Sequence, residues 1–312
     1  MKTLLHRWLL LLACLVSVAA AAQDFPNKLV RIIVPFPPAG GADTLARILT
    51  PPLSALWGQQ VIIEYKPGAS GHIGANLVAQ SAPDGHTLLM ASTAVMTEKN
   101  VVNFSPVTLV TASAYVVTAH PKLGANSIAD LIALAKANPG KLSFGSSGTG
   151  AASHLAAELF KVMAGVDLLH VPYKGTGQAL TDLVGGQVNL MFAPAQTVMP
   201  QVQAGRVRAL AVTSASRSKT LPGLPTVHES GVPGYAAVGW FGLLAPAATP
   251  KQLVAKLSAD INQVMTLREV REKMLALGSE PAANSPEAFT QFIREDQAKW
   301  AKLIKDQGIK IE

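Results

Sequence analysis

The 312-residue sequence predicts an α/β protein with mostly parallel sheets, built as two domains. Three observations carry that expectation. Short runs rich in Val and Ile alternate with helix-patterned segments along the chain. Several of these runs are apolar throughout, as parallel strands buried on both faces are. The 290 residues that follow an N-terminal leader (residues 1–22) reach the size limit of a single core.

The leader is read first. Lys2, His6 and Arg7 precede an apolar stretch over 8–18, and Ala20-Ala21-Ala22 offers a small-residue cleavage site before Gln23, the pattern of a secretory signal peptide. The apolar core is too short to span a bilayer, so a soluble, periplasmic mature protein is expected. Cys14, the single cysteine, sits in Leu11-Leu12-Ala13-Cys14, which loosely resembles a lipoprotein box. The apolar run continues past it to Val18, so ordinary cleavage without lipid anchoring is expected. The mature chain then has no cysteine, which excludes disulfides and thiolate metal sites. Loss of Lys2 and Arg7 leaves 24 basic against 19 acidic residues, a mild +5 that suits an anionic ligand. No basic run or basic aromatic stripe points to nucleic acid.

Strands are expected at 29–36, 61–65, 87–92, 114–119, 142–145, 168–173, 188–193 and 207–213, with helices between them. Pro51-Pro52 should break the helix starting near Asp43 into a short first piece and a second over 53–57, because an interior proline removes a hydrogen bond and clashes with the preceding turn. Ser127 with Asp130 resembles a capping box, and Thr249-Pro250-Lys251-Gln252 combines an N-cap with a proline at the first helical position. Ser285-Pro286 opens a final helix whose apolar face is Phe289, Phe292, Ile293, Trp300, Leu303 and Ile304, with Gly308 as its stop.

Two strand–loop–helix junctions are the candidate site. In Val34-Pro35-Phe36-Pro37-Pro38-Ala39-Gly40-Gly41-Ala42-Asp43-Thr44, prolines stiffen the approach and glycines let a ligand near the backbone at a helix start. In Gly145-Ser146-Ser147-Gly148-Thr149-Gly150-Ala151-Ala152-Ser153-His154 a second backbone nest is rich in hydroxyls. Helix N-termini favour anions, so a carboxylate or phosphate is the expected guest. The same residues also serve plain turn chemistry, with Asp43 and Ser153 as caps; two such loops in separate halves favour the binding reading.

The enzyme motifs fail one by one. Gly145-Ser146-Ser147-Gly148-Thr149 lacks the final glycine of a nucleophile elbow. Gly148-Thr149-Gly150 lacks the acidic residue that a dinucleotide site needs, and no P-loop or H-E-x-x-H is present. The histidines are scattered without metal-ligand spacing. No acid/base pair stands out, so binding without chemistry is expected, with no cofactor and no metal.

With both loops in view, the chain resembles the tripartite tricarboxylate transporter solute receptors, the Bug-type (Bordetella uptake) periplasmic binding proteins. The matching segments include 31–43, Tyr65-Lys66-Pro67-Gly68-Ala69-Ser70-Gly71-His72-Ile73-Gly74-Ala75, 82–89 and 144–154. Val171-Pro172-Tyr173-Lys174-Gly175, Gly185-Gly186-Gln187-Val188 and Gly242-Leu243-Leu244-Ala245-Pro246 follow in family order, and together they cover residues 24–312. The resemblance implies a type II periplasmic binding fold, two α/β domains joined by two crossovers with a ligand cleft between them. Domain 1 is then 24–115 plus 219–312, and domain 2 is 116–218. It implies a small carboxylate or amide ligand held by backbone N–H groups and ordered water, and delivery to membrane permease subunits by a monomeric receptor.

Carried over by resemblance, Phe36, Gly40, Gly41, Asp43 and Thr44 form one jaw, with Ser92 and Thr93 beside it. Ser147, Gly148, Thr149, Ser153 and His154 form the other, and Tyr173, Lys174 and Gly175 lie near the cleft. Family members usually carry Asp where Asn189 and Ala193 stand, and the Asp matching Ala193 faces the cleft in amino-acid-binding relatives. Ala193 therefore favours a plain or aromatic mono-, di- or tricarboxylate over an amino acid. The competing readings are an exported α/β enzyme using His154 or Lys174 on an anionic substrate, and a sensory ligand-binding module.

Overall fold

The computed structural model describes residues 25–96, 100–306 and 308. The expected leader and Cys14 lie outside the described residues. Strand β1 (Val30–Val34) leads through loop 35–40 into α1 (Gly41–Trp57), followed by β2 (Val61–Tyr65), α2 (His72–Ala79) and β3 (Thr87–Ser92). β1 pairs in parallel with both β2 and β3. The long β4 (Phe104–Ala119) comes next, then α3 (Ile128–Ala137), β5 (Ser143–Ser146), α4 (Ala152–Ala164), β6 (Leu169–Pro172), α5 (Thr176–Val184), β7 (Leu190–Pro194), α6 (Ala195–Gln203) and β8 (Arg208–Val212). The chain returns along β9 (Val238–Pro246) and ends in α7 (Lys251–Thr266), α8 (Arg268–Ala276) and α9 (Pro286–Asp306).

The strands run in the order β2-β1-β3-β9-β4-β7-β5-β6, with β8 also on β4. β4 changes partners at its middle. Residues up to Ala114 pair with β9, whereas Tyr115 onward pairs with β7, and Val116 onward also with β8. This switch divides the α/β fold into two lobes that share one strand.

Two expectations about the sheet are corrected. Four of the eight strand pairings are antiparallel, and each involves β4 or β9, so the sheets are not mostly parallel. The N-terminal part of β4 and the whole of β9 were also not anticipated. Pro106 sits within β4 at a register shift, where the ladder is already interrupted.

α1 does not break at Pro51-Pro52 but runs straight through them. Leu45, Leu49, Leu53 and Trp57, spaced by four, are buried in the first core. Pro51 is exposed and Pro52 half-buried, as are Arg47 and Ile48, whose carbonyls lose their helical donors. The deficit falls on the side of the helix that solvent reaches. Ser127 caps α3 as expected, accepting the Asp130 N–H at 3.1 Å. Thr249 does not cap α7: its buried hydroxyl has no partner, and Pro250 holds the cap position. Ser285 accepts the Ala288 N–H at 3.2 Å to open α9, and Gly308 sits at φ 61° just beyond its end.

The first core gathers β1, β3 and β9 with α1, α7 and the start of α9 (Phe289, Ile293). The second gathers Phe144, Phe160, Phe192 and Tyr235, and the third, on the opposite face of β7, gathers Val116, Leu183, Met191 and Val198. α9 belongs to both lobes, because Trp300, Leu303 and Ile304 pack into the second core. Val227, Val232, Tyr235 and Ala237, on the return segment before β9, also pack there.

Candidate functional site

The loops that follow the parallel strands all emerge at one end of the sheet, where an open α/β sheet offers a crevice. They enclose a cavity of ≈ 20 Å³ between the lobes. Gly40, Gly41 and Ala42 after β1 and Ser92 and Ala94 after β3 line one side. Ser147, Ala152 and Ser153 after β5, Thr176 after β6 and Pro194 ending β7 line the other, and the rings of Phe36, Tyr115 and Phe241 complete the wall.

Three helices begin at this cavity without a side-chain cap: α1 behind Gly40, α4 behind Ala151 and α5 behind Gly175. The first amides to find a helical acceptor are those of Thr44, Leu155 and Ala179. The N–H groups of the wall residues Gly41, Ala42, Ala152, Ser153 and Thr176 precede them and have no helical partner. No charged side chain is among the lining residues. The positive character of the cavity therefore comes from helix dipoles and oriented amides, supplemented by the hydroxyls of Ser92, Ser147, Ser153 and Thr176.

Several expected site residues support the wall from behind. Asp43 is buried, and its carboxylate is fully engaged, accepting from Ala39 N–H (2.7 Å), Arg47 Nε (2.8 Å) and Tyr65 OH (2.7 Å). It ties the first loop to its helix and to β2. Thr44 donates its hydroxyl back to Gly40 O at 3.1 Å. In the second loop, Ser153 Oγ accepts the Ser147 N–H (3.0 Å), Ser146 Oγ accepts the Gly148 N–H (3.1 Å) and His154 Nδ1 accepts the Gly150 N–H (3.1 Å). Three of the four amides of the nest 147–150 are thus spent internally, and the helix start at 152–153 adds amides without a helical partner.

His154 lies under the loop, stacked on His170 at 3.9 Å, which in turn stacks on Phe144. His170 Nε2 meets Ser146 Oγ at 2.6 Å. Burial, His170 and Lys161 push the His154 imidazole down to about 4; burial and Lys161 bring His170 down to about 4 as well. Both rings are neutral at pH 7, and His154 Nδ1 accepts the Gly150 N–H as an unprotonated ring nitrogen does. With Nδ1 occupied and no place in the cavity wall, His154 is no candidate catalytic base.

Thr93 is flanked by two wall residues, but its hydroxyl is buried away from the cavity. Thr149 contributes its carbonyl, which accepts the Ser70 hydroxyl from the other lobe at 3.4 Å. Tyr173 donates its phenol to Asp182 at 2.7 Å, and burial with this partner raises the phenol to about 12. Lys174 is exposed and outside the wall. Gly175 and Gly177 let α5 approach the first loop: a methyl at Gly175 would lie 2.9 Å from Pro37 Cδ, and one at Gly177 would lie 2.8 Å from Pro38 O.

Ala193 does not face the cleft. It is buried in the third core against Val116 on β4, and the next residue, Pro194, takes the cavity side because successive strand residues alternate faces. Sequence reasoning missed Ala42, Ala94, Tyr115, Ala152, Thr176, Pro194 and Phe241. Ala42, Ala152 and Thr176 had a local signal, each sitting just behind a glycine-rich turn.

Most of the chain is similar to proteins of one family. Residues 45–309 match the family model described as tripartite tricarboxylate transporter family receptor. The chain is 33% identical over 308 residues to the protein BugT of Bordetella pertussis, covering 95% of this chain and 94% of BugT. Among solved structures it is similar to an adipate-bound protein of R. palustris (34% identity, TM-score 0.88, 92% of this chain and 99% of the other). It is also similar to MatC of Rhodopseudomonas palustris with bound malate (30% identity, TM-score 0.84, 90% of this chain and all of that one). A two-lobed α/β fold with uncapped helix starts converging on an interlobe cavity, matched along nearly its whole length by such proteins, places the chain in the tripartite tricarboxylate transporter receptor family, as a solute-binding receptor of the Bug type.

Proposed function

We propose that the protein is an exported receptor that captures a small carboxylate in the interlobe cavity and delivers it to the membrane subunits of a tripartite transporter. The carrying observation is the convergence of three uncapped helix starts on a cavity whose wall holds no charged side chain. Such a site stabilises an anion through amides and dipoles, and the relatives with adipate and malate bind ligands of that chemistry. The leader sequence and the family support a periplasmic location, and no described helix is long and apolar enough to cross a membrane. We take β4 and the segment before β9 as the two crossovers, so that one lobe comprises the residues up to 115 together with those from 238. The packing of Val227 and Tyr235 supports this over a return at 219.

Amine-free carboxylates are the proposed class. A zwitterionic amino acid would bury an ammonium with no carboxylate in the wall to pair it, at a cost of several kcal/mol. The support for this preference is now the wall itself and not Ala193. A thermal-shift screen of mono-, di- and tricarboxylates tests the reading, since a ligand at about 100 times its Kd stabilises by about 2.7 kcal/mol. Glutarate should outcompete glutamate. A screen without any stabilising carboxylate, or tighter binding of glutamate, would refute the assignment.

A further inference from the structure

Asp296 is a buried carboxylate that forms no ion pair among the described residues. It lies on α9 between the residues that enter the first core and those that enter the second, and it is 8% exposed. Oδ2 accepts the indole N–H of Trp240 on β9 at 2.8 Å. The Thr93 hydroxyl and the Trp300 indole N–H also face the carboxyl, without reaching hydrogen-bond geometry, and neither has another partner. Tyr115 on β4 is near enough for its phenol to feel the charge, and its ring lies over Gly239, leaving no room there for a methyl. The titratable groups facing Asp296 are therefore Tyr115 from β4 and Lys299 from α9 itself. Burial outweighs Trp240 and Lys299 and holds the carboxyl above its ordinary range.

Two of these neighbours connect Asp296 to the cavity. Tyr115 is part of the wall, and Thr93 stands between the wall residues Ser92 and Ala94. Tyr115 and the 92–94 stretch thus border both the cavity and Asp296, and like charges on the two sides of them repel. Helix N-termini favour the charged form of the ligand, whereas burial disfavours the charged form of Asp296.

Resting on the carboxylate reading above, we propose that ligand capture takes up one proton at Asp296. The proton comes from solvent and bonds to the oxygen that Trp240 does not hold, so the occupied protein encloses one anion and not two. The neutral carboxyl keeps the Trp240 hydrogen bond and supplies a donor for the Thr93 hydroxyl oxygen.

The test has two arms, both comparing wild type with Asp296→Asn, a fixed neutral mimic that retains an acceptor for Trp240. Without ligand, melting is followed from pH 3 to 8.5, a range that begins below the ordinary carboxyl value of 3.8. A carboxyl that titrates higher folded than unfolded loses stability as pH rises through its folded pKa, so the variant should gain on the wild type toward alkaline pH. A gap that does not change with pH overturns the proposal.

With ligand, calorimetric titration of adipate and malate in buffers of different ionisation enthalpy counts protons. Wild type should take up a fraction of a proton that vanishes in the variant. Its affinity should weaken toward alkaline pH by about tenfold for each unit by which the ligand raises Asp296, while the variant stays flat. Binding without proton uptake overturns the proposal. Failure of both probes to bind would count against the carboxylate reading alone, since the ligand-free arm still reports on Asp296. If Asp296→Asn does not fold, Trp240→Phe removes the hydrogen bond that favours the anion and should move the pH profile upward. An unmoved profile refutes the coupling.

Discussion

Ala152→Pro isolates one amide donor of the cavity. Ala152 is the first residue of α4, and Ala151 before it has φ −68° and ψ 155°, the extended conformation that a following proline requires. Leu155 donates the first intrahelical bond, to Ala151 O at 2.9 Å, so the Ala152 N–H has no helical acceptor to lose. The first helical position is where proline is best tolerated. The substitution therefore removes a donor from the wall while leaving α4 intact, and the unliganded variant should melt close to the wild type. A hydrogen bond from an amide to a charged acceptor contributes about 1.5–3 kcal/mol, which corresponds to a roughly 10- to 150-fold loss of affinity. Isothermal titration with the carboxylate that binds wild type reads this directly. Ala152→Val is the control, since it adds comparable bulk and keeps the N–H. Unchanged affinity in a folded proline variant, or an equal loss in the valine variant, would show that this amide does not meet the ligand.

Two further outcomes are expected. Gly177→Val places side-chain carbon where a methyl already lies 2.8 Å from Pro38 O, so it should hold the lobes apart; small-angle scattering should show a larger radius of gyration with ligand than for wild type, together with weaker binding. A wild-type scattering curve would remove this contact from the closing surface. The stacked histidines set an acid limit: each titrates near 4 when folded and near 6.5 when unfolded, so the unfolded chain binds protons that the native fold refuses, and stability falls as pH drops from about 6.5 toward 4. His170→Gln should flatten that decline in a melting series, and parallel curves would contradict the assignment of neutral rings.

The parts of the site that were legible in the sequence are those built by local chain geometry. A strand, a glycine-rich turn and a helix start are contiguous, so Gly40, Gly41, Ser147 and Ser153 could be placed without knowing the fold, and each lines the cavity. Tyr115 and Phe241 could not, because they reach the wall from antiparallel strands whose register depends on distant pairing, Tyr115 with Pro194 and Phe241 with Thr111. Asp43 and His154 misled for the opposite reason. Their side chains look like site chemistry, but their polar atoms are consumed in fixing the loops that form the site. Ala193 failed on a matter of strand parity, one residue from the wall.

The division of the first core between the two ends of the chain has a consequence for how the protein matures. Val30, Ile32 and Leu88 from the beginning of the sequence pack with Leu243, Ile261 and Phe289 from its end, and α9 then seals both lobes through Phe289 and Trp300. An N-terminal fragment emerging first from a ribosome or a translocation channel holds half a core with its apolar face open and no partner to cover it. Such a chain stays threadable until its last helix is free, and commits to its native form in one late, cooperative event. For the exported receptor proposed above, a closing element placed behind both lobes postpones folding with no separate device to delay it.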